Sequence, residues 1–276
     1  MIISKKQAMV INTILGIVLI LVALFTILPI VWMLLSTIKP QSELASFSPS
    51  ILPKEITFDN YIKLFTQNSF GIYFLNTMII VFWSFIGMFL CAGAGYAFAK
   101  YKFIGKKFLF VLVLATMMIP GQVTMIPVYL ILNAVNLTNT MAGIVLPGLV
   151  GAFGIFLFRQ FMSGISDEML EAARLEGASE WTIFWKIVIP VSKPVLAVQG
   201  ILTFIGGWNS FLWPLIMAND QNKYTLSVGL ALLQGAHTTD YGLQMAGSAI
   251  MIIPVLIIYV IFQKYFMQGM NINGMK

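Results

Sequence analysis

Five long stretches of this chain contain no aspartate, glutamate, lysine or arginine, and they constrain its fold more than any other feature. They cover residues 7–38, 64–99, 108–158, 194–219 and 241–263. A charge at the centre of a bilayer costs roughly 3 kcal/mol, and about 20 apolar residues suffice to cross the hydrocarbon core. Only 9% of the residues are charged, against roughly 25% in soluble domains. We therefore expect lipid to surround these stretches.

The third stretch is long enough for two crossings. Pro127, Asn133, Asn136 and Asn139 lie near its middle and are typical of a turn. The sequence thus predicts an all-α integral membrane protein, a single domain over residues 1–276, with about six transmembrane helices. The predicted spans are 10–35, 72–99, 108–132, 141–158, 194–216 and 242–262.

Basic residues are shared unequally between the two sides of the predicted bundle. With six crossings, both chain ends lie on the side that also holds the loops after the second and fourth helices. That side has Lys5, Lys6, Lys100, Lys102, Lys106, Lys107, Arg159, Arg174, Lys186, Lys193, Lys264 and Lys276. The other side has only Lys39, Lys54, Lys63 and Lys223. Cytoplasmic loops carry excess lysine and arginine, so we expect both termini in the cytoplasm and no nucleic-acid partner.

Several kinds of chemistry have no residues to support them. Cys91 is the only cysteine and His237 the only histidine, so we predict no metal site and no intrachain disulfide. The chain lacks the GxxxxGK phosphate-binding loop, so any ATP must be bound by another chain. Gly93, Gly95 and Ala97 in AGAGYAFAK indicate close helix packing and not a dinucleotide fingerprint.

The segment 163–194, between the fourth and fifth predicted helices, carries half of the acidic residues. They are Asp167, Glu168, Glu171, Glu176 and Glu180. Ser166 can cap a helix that begins near Asp167, and Gly177 would end or bend it. An interfacial helix on the membrane is one interpretation, but such helices present mainly lysine and arginine. The acids favour a basic protein partner.

This segment resembles the EAA loop of membrane subunits in binding-protein-dependent ABC importers. The matching residues are Glu171, Ala172, Ala173, Gly177, Ile187 and Pro190, and the only departure from the pattern is isoleucine in place of leucine at Ile189. LSTIKP, NTMIIV, AGYAFAKYKFIGKK and WNSFLWPLI are similar to the maltose-type, carbohydrate-uptake group of these permeases.

The resemblance implies a non-catalytic permease subunit in a bacterial inner membrane. Its partners would be a second, homologous membrane subunit, two cytoplasmic ATPase subunits that bind ATP and Mg²⁺, and an external solute-binding protein. The EAA loop would form a coupling helix seated in a cleft of the ATPase. Glu171 would meet a cationic residue there, Ala172 and Ala173 would allow close backbone approach, and Gly177 would permit the bend.

The membrane-embedded polar residues are uncharged, which favours a neutral substrate such as a sugar or polyol. They are Asn76, Thr77, Thr116, Gln122, Thr124, Gln199, Thr203, Asn209, Ser210, Gln244 and Ser248. Trp208, Asn209, Ser210 and Phe211 combine aromatic faces with polar groups and are predicted to line the pathway; the alternative for Trp208 is a packing or interface role. Rival functions are a channel or carrier that works without ATPase subunits, a permease for a non-sugar solute, and a membrane scaffold.

Overall fold

The computed structural model describes residues 5–47, 50–234 and 240–271 of the chain. Over these residues it contains fifteen α-helices: α1 Lys5–Ser36, α2 Gln41–Leu44, α3 Asp59–Gln67, α4 Phe70–Lys100, α5 Lys106–Met117, α6 Gly121–Ala134, α7 Met141–Val145, α8 Ala152–Met162, α9 Asp167–Leu175, α10 Glu180–Ile183, α11 Ile189–Val191, α12 Lys193–Trp208, α13 Leu212–Met217, α14 Leu226–Leu232 and α15 Tyr241–Asn271. A π-helix, Phe184–Val188, joins α10 to α11.

The prediction of an all-α protein with about six transmembrane helices is confirmed. Four helical spans are long and apolar enough to cross a bilayer: Ile11–Ser36, Phe70–Lys100, Lys193–Met217 and Tyr241–Gln263. Two bent pairs raise the number to six if each pair is one span: Lys106–Met117 with Gly121–Ala134, and Met141–Gly148 with Ala152–Met162.

The third predicted helix is not continuous. Its two parts, α5 and α6, meet at 104°. Pro120 precedes α6, and a proline disfavours helical backbone in the residue before it, which ends α5. The prediction that Pro127 and Asn133 lie in a turn is wrong: both lie inside α6. The turn lies at 135–140, where Asn136 and Asn139 adopt positive φ angles of 57° and 54°.

The chain divides into two compact units. The first comprises residues 1–68 and 232–250. In it, the amide of Asn60 donates to the backbone oxygens of Thr37 (2.8 Å) and Lys39 (2.9 Å). The fully buried Lys39 ammonium donates to the backbone oxygens of Ser50 and Ile51 (3.0 Å to the latter). These bonds give the segment after α1 a polar core.

The second unit comprises residues 69–231 and 251–276, and α4 packs in it against α8 and α12. A Cβ on Gly95 would lie 2.5 Å from the Phe158 Cβ and 2.8 Å from the Arg159 nitrogen, so α4 and α8 touch by backbone there. The expectation of close packing is thus confirmed for Gly95. It is wrong for Gly93, whose added Cβ would meet no atom within 4 Å in the part of the chain described.

Candidate functional site

The EAA segment, residues 163–194, begins with a helix whose start is set by a side-chain cap. The Ser166 hydroxyl oxygen accepts from the Met169 backbone nitrogen at 3.3 Å. Asp167 and Glu168 occupy the first turn of α9, where carboxylates interact favourably with the free backbone N–H groups. The predicted cap and helix start are therefore confirmed.

Gly177 ends α9 in a left-handed conformation with φ of 83°. The Ala178 nitrogen donates to the Ala173 oxygen (3.0 Å), and the Gly177 nitrogen donates to the Arg174 oxygen (3.0 Å). This pair of bonds is a Schellman motif, which requires a residue with positive φ at the position of Gly177. The predicted bend is confirmed and has a defined cause.

Helix α9 has one packed face and one exposed face. Leu170 is 1% exposed and belongs to a core cluster that includes Met162 and Ile183. Glu171 and Ala172 are exposed, and Leu175 is 90% exposed. Trp181 in α10 is 73% exposed. An apolar surface with a carboxylate beside it is thus presented away from the rest of this chain.

Lys100, at the C-terminal end of α4, holds the start of the EAA segment. Its ammonium lies 2.7 Å from the Asp167 carboxylate and donates to the backbone oxygens of Ser163 and Ile165. The Lys100 side chain is only 6% exposed. The ammonium beside Asp167 holds the pKa of that carboxyl below its ordinary value, through its hydrogen bond and its charge. A single lysine thus joins a membrane-length helix to the N-terminus of α9.

A second polar group ties the far end of α9 to the same region. The Arg174 Nε lies 2.6 Å from a Glu180 carboxylate oxygen, and the Tyr101 hydroxyl donates to the other. Arg174, followed by Tyr101, lowers the pKa of Glu180. Burial, followed by the hydrogen bond to Glu180, raises the pKa of Tyr101. Because Tyr101 directly follows Lys100, both contacts converge on the end of α4.

The remaining residues of the EAA pattern lie in the helical path that leads to α12. Ile187 lies in the π-helix and packs against the core cluster, whereas Pro190 lies in α11 and is exposed. A proline cannot donate to the residue four positions earlier, and the π-helix just before Pro190 accommodates the missing bond. The prediction of a short helix, a glycine break and a second helical piece is confirmed.

A cavity of about 620 Å³ opens between α4, α6, α8 and α12. Its polar side chains are Ser84, Thr124, Gln199, Thr203 and Ser210. Apolar residues and glycines, among them Met88, Cys91, Gly154 and Gly206, complete the lining. None of the lining residues is ionisable at neutral pH.

The structure separates the four residues predicted to line the pathway. Ser210 lines the cavity, but Trp208, Asn209 and Phe211 do not. Trp208 is 1% exposed, its indole nitrogen donates to the Met251 oxygen at 2.8 Å, and its ring stacks on Phe204. Asn209 is exposed and Phe211 half-buried. Within this chain, Trp208 therefore has the packing role that was the alternative interpretation. A role for Trp208 in the translocation pathway stays a prediction.

Sequence reasoning did not single out Lys100, Tyr101 or Ser84. Lys100 was counted only as part of the charge bias, because nothing local indicates that it reaches Asp167. Asn76 and Thr77 were grouped with the pathway residues, yet the Asn76 amide donates to the backbone oxygens of Asn222 (2.8 Å) and Tyr224 (2.9 Å). His237 lies outside the described residues, among which no cluster of metal-ligating side chains is found.

Known proteins match this chain over nearly its whole length. A permease of the arabinooligosaccharides transport system from Bacillus subtilis, AraQ, is 36% identical over 93% of this chain and 92% of its own. Its counterpart from Halalkalibacterium halodurans is 32% identical over 99% of both. A chain from the crystal structure of a bacterial ABC transporter that imports the acidic polysaccharide alginate superposes with a TM-score of 0.82, at 26% identity, covering 96% of this chain and 99% of that one.

Residues 90–272 match the family described as the binding-protein-dependent transport system inner membrane component. That range contains α9, the EAA segment, α12 and part of the cavity wall. The helical architecture, the relatives and this match all indicate the same family. The chain belongs to the family of binding-protein-dependent transport system inner membrane components, the permease subunits of ABC importers.

Proposed function

We propose that this chain forms half of the translocation pathway of an ABC importer for a sugar or related polyol, and that its EAA segment couples transport to ATP hydrolysis on partner chains. The partners would be a second, homologous membrane subunit, two ATPase subunits that hold ATP and Mg²⁺, and an external solute-binding protein. The chain itself would hold no cofactor and catalyse no reaction.

The observation that carries the coupling proposal is the two-sided construction of α9. Its inner face is packed through Leu170, and its first residue is joined to the end of α4 by Lys100. Its outer face offers Glu171, Ala172 and Leu175 to a partner. A carboxylate beside exposed apolar area suits a groove with a basic residue. Force applied to this surface would pass directly to α4.

A neutral substrate is supported by the uncharged lining of the cavity and by the sugar transport named for the AraQ relatives. The named substrate of the alginate importer is an acidic polysaccharide. It defines the alternative of an anionic solute that is recognised elsewhere in the complex. Uptake assays with neutral and anionic saccharides distinguish the two.

The coupling proposal is tested with Gly177→Pro and Glu171→Lys in the complete reconstituted complex. Proline cannot adopt the positive φ of Gly177, and a lysine reverses the charge of the exposed face. We expect normal membrane insertion but at least a tenfold loss of uptake per ATP hydrolysed, an effect within the usual range of coupling energies.

Glu176→Lys is the matched control, because it makes the same charge change at the exposed C-terminal end of α9, where a lysine suits the helix dipole. If Gly177→Pro transports normally, the coupling role is abandoned. A complex that transports without any ATPase subunit would favour the channel or carrier alternative.

The orientation is tested with a thiol introduced by Ala172→Cys, an exposed position of α9. We propose that α9 and both chain ends lie in the cytoplasm. An impermeant thiol reagent should then leave intact cells unlabelled and label inverted vesicles. Labelling of intact cells at this position contradicts both the topology and the coupling role.

A further inference from the structure

Helix α3, Asp59–Gln67, carries a row of exposed apolar side chains. Phe58, Ile62 and Phe65 follow one another at intervals of four and three residues, which places them on one face of the helix. Phe58 directly precedes α3, and its backbone oxygen accepts from the nitrogens of Tyr61 and Ile62. The three residues of this α3 stripe are 62%, 57% and 52% exposed. The described part of the chain therefore leaves more than half of each uncovered.

The other two faces of α3 are of different kinds. Asn60 and Leu64, four residues apart, are buried against the rest of the chain. Asp59 and Thr66, seven residues apart, are polar and exposed. At 3.6 residues per turn, the packed face, the polar face and the α3 stripe occupy three separate sectors of the helix. A helix on a soluble domain needs only a packed face and a polar face. The third face suits contact with a second apolar medium.

Contacts of Asn60 fix the start of α3 at the level where two membrane spans end. The Asn60 amide donates to the backbone oxygen of Thr37, the residue after α1, at 2.8 Å. A Cβ added to Gly242, the second residue of the span Tyr241–Gln263, would lie 2.4 Å from the Asn60 side-chain oxygen. The first turn of α3 therefore touches the ends of two membrane-length helices.

The chain itself ties the other end of α3 to a membrane span. Helix α3 ends at Gln67 and α4 begins at Phe70, and three residues of chain reach at most about 11 Å. With both of its ends beside the ends of membrane spans, α3 lies along the membrane surface. The far end of α4 is Lys100, which holds Asp167. The surface at α3 is thus the one opposite the EAA segment.

The composition of the α3 stripe favours lipid over a protein partner. Two phenylalanines and an isoleucine carry no hydrogen-bonding group, and the tyrosine, tryptophan and arginine that dominate protein interfaces are absent from the stripe. Residues 50–67 contain two lysines and two acids, Lys54, Lys63, Glu55 and Asp59, and so carry no net charge. Attraction to anionic headgroups is therefore weak, and burial of apolar area is left to hold the stripe.

We propose that α3 is an interfacial helix whose stripe, Phe58, Ile62 and Phe65, is buried in the lipid leaflet opposite the EAA segment, at the boundary between headgroups and acyl chains. Through Asn60, the helix anchors the ends of α1 and α15 at that depth. The proposal rests on the membrane-spanning fold and not on the solute or on coupling. The competing occupants are the second membrane subunit and the solute-binding protein, and each gives a different result in a depth measurement.

The depth of the stripe is measured with nitroxide spin labels on single introduced cysteines. Ile62→Cys and Phe65→Cys lie on the stripe, and Asp59→Cys and Thr66→Cys on the polar face are the matched controls. The complete complex, with cysteine-free partner subunits, is reconstituted in phosphatidylcholine vesicles. Collision rates with lipid-soluble oxygen and with a water-soluble nickel complex give the depth of each label. The wild-type chain, whose only cysteine is the buried Cys91, is the labelling blank.

We expect the labels at positions 62 and 65 to lie roughly 5–10 Å below the headgroup boundary and to collide mainly with oxygen. The labels at 59 and 66 should collide mainly with the nickel complex. Agreement between the two stripe positions excludes a local distortion caused by either substitution.

Three results would overturn the proposal. If all four labels collide mainly with the nickel complex, the stripe lies in water. If neither reagent reaches positions 62 and 65, the second membrane subunit covers them. If these positions lose contact with the nickel complex only when the solute-binding protein is added, that protein is the occupant.

A second measurement tests what holds the stripe in the leaflet. Depths are compared in phosphatidylcholine vesicles with and without phosphatidylglycerol, at low salt and near 1 M salt, where the screening length is about 3 Å. Because residues 50–67 carry no net charge, we expect the same depth at position 62 under all of these conditions. A depth that increases with phosphatidylglycerol and decreases with salt would show that charge holds α3 and would overturn the apolar anchoring.

Discussion

The EAA segment and the cavity are built from opposite interactions. The EAA segment is held by charged hydrogen bonds from Lys100 and Arg174 to Asp167 and Glu180. The cavity wall contains no charged side chain, and α4 packs beside it by a backbone contact at Gly87. The difference teaches where each region is vulnerable: added volume should disturb the helix contact beside the cavity, and loss of charge should disturb the EAA segment.

The largest effect is expected beside the wall, where α4 packs against the chain before α8. An added Cβ on Gly87 would lie 1.7 Å from the Leu149 backbone oxygen, so Gly87→Ala forces α4 away from the chain before α8. Overpacking of this kind costs about 1–3 kcal/mol or more. We expect little folded protein after detergent extraction and a lowered Tm. Gly206→Ala, the same substitution in open space, should leave both unchanged. An equally stable Gly87→Ala protein would contradict the close packing of the wall.

The next effect is expected at Lys100. Lys100→Gln removes the charge that holds Asp167, and its shorter side chain weakens the donation to the Ser163 and Ile165 oxygens. We expect uptake per ATP hydrolysed to fall about fivefold, at the lower end of coupling energies, with normal expression. Lys107→Gln, at a nearby exposed lysine for which no such bonds are found in the described residues, is the control. Equal behaviour of the two variants would show that α9 does not act through α4.

The two regions should also differ in their response to acid. The folded pKa values of Asp167 and Glu180 lie below their ordinary values of 3.8 and 4.5, through Lys100 for the first and Arg174 for the second. A carboxyl whose pKa is lowered by folding stabilises the folded state fully when the pH is above its pKa in the unfolded chain. This stabilisation is lost as the pH falls through its pKa in the folded chain. Hydrogen-exchange protection of 166–183 should hold down to about pH 4.5 and decline below it.

Amides at the cavity wall are the internal reference for this measurement, since no carboxylate lines the cavity. Rates must be corrected for the intrinsic pH dependence of exchange. If the wall loses protection together with the EAA segment, the acid response is global unfolding and the contrast between the regions is wrong.

The smallest effect is expected at Arg174. The Arg174 and Glu180 side chains are 39% and 47% exposed, and such exposed pairs contribute less than about 1 kcal/mol. Arg174→Gln should lower the Tm by a degree or two at most in low salt. Near 1 M salt, where the screening length is about 3 Å, the difference should disappear. A fall in Tm larger than a degree or two that persists in high salt would show that Arg174 has a contact beyond Glu180.

The sequence predicted best those features whose signals act within one helical turn. Ser166 as a cap, Gly177 as a helix end, and Asn136 and Asn139 in a turn all follow from backbone preferences of single residues. The error at Pro127 has the same origin. A proline inside α6 is tolerated because membrane helices re-satisfy the freed backbone group with neighbouring structure, which local preference does not report.

The residues predicted to line the pathway show what the sequence could not predict, namely which polar residues face the cavity. The sequence identifies four lining residues as embedded polar groups: Gln199, Thr203, Thr124 and Ser210. Composition could not distinguish them from Asn76, whose amide donates to a backbone oxygen of the loop at 222–224. Trp208 and Ser210 are two residues apart, yet one is packed and the other lines the cavity. Trp208 is the last residue of α12 and Ser210 lies beyond it, so their different surroundings depend on the helix break at 209–211 and on which helices pack there.

By itself, the sequence determined that this chain belongs in a membrane, crosses it about six times as helices, and carries one acid-rich helical segment with a fixed start and end. These properties follow from transfer free energies and backbone preferences, which each residue carries wherever it is placed. Only the tertiary structure decided that Lys100 reaches Asp167, that Gly95 meets Phe158, and that Gln199 faces a cavity. Each of these contacts involves residues that are distant in the chain, and they come together only when the helices pack.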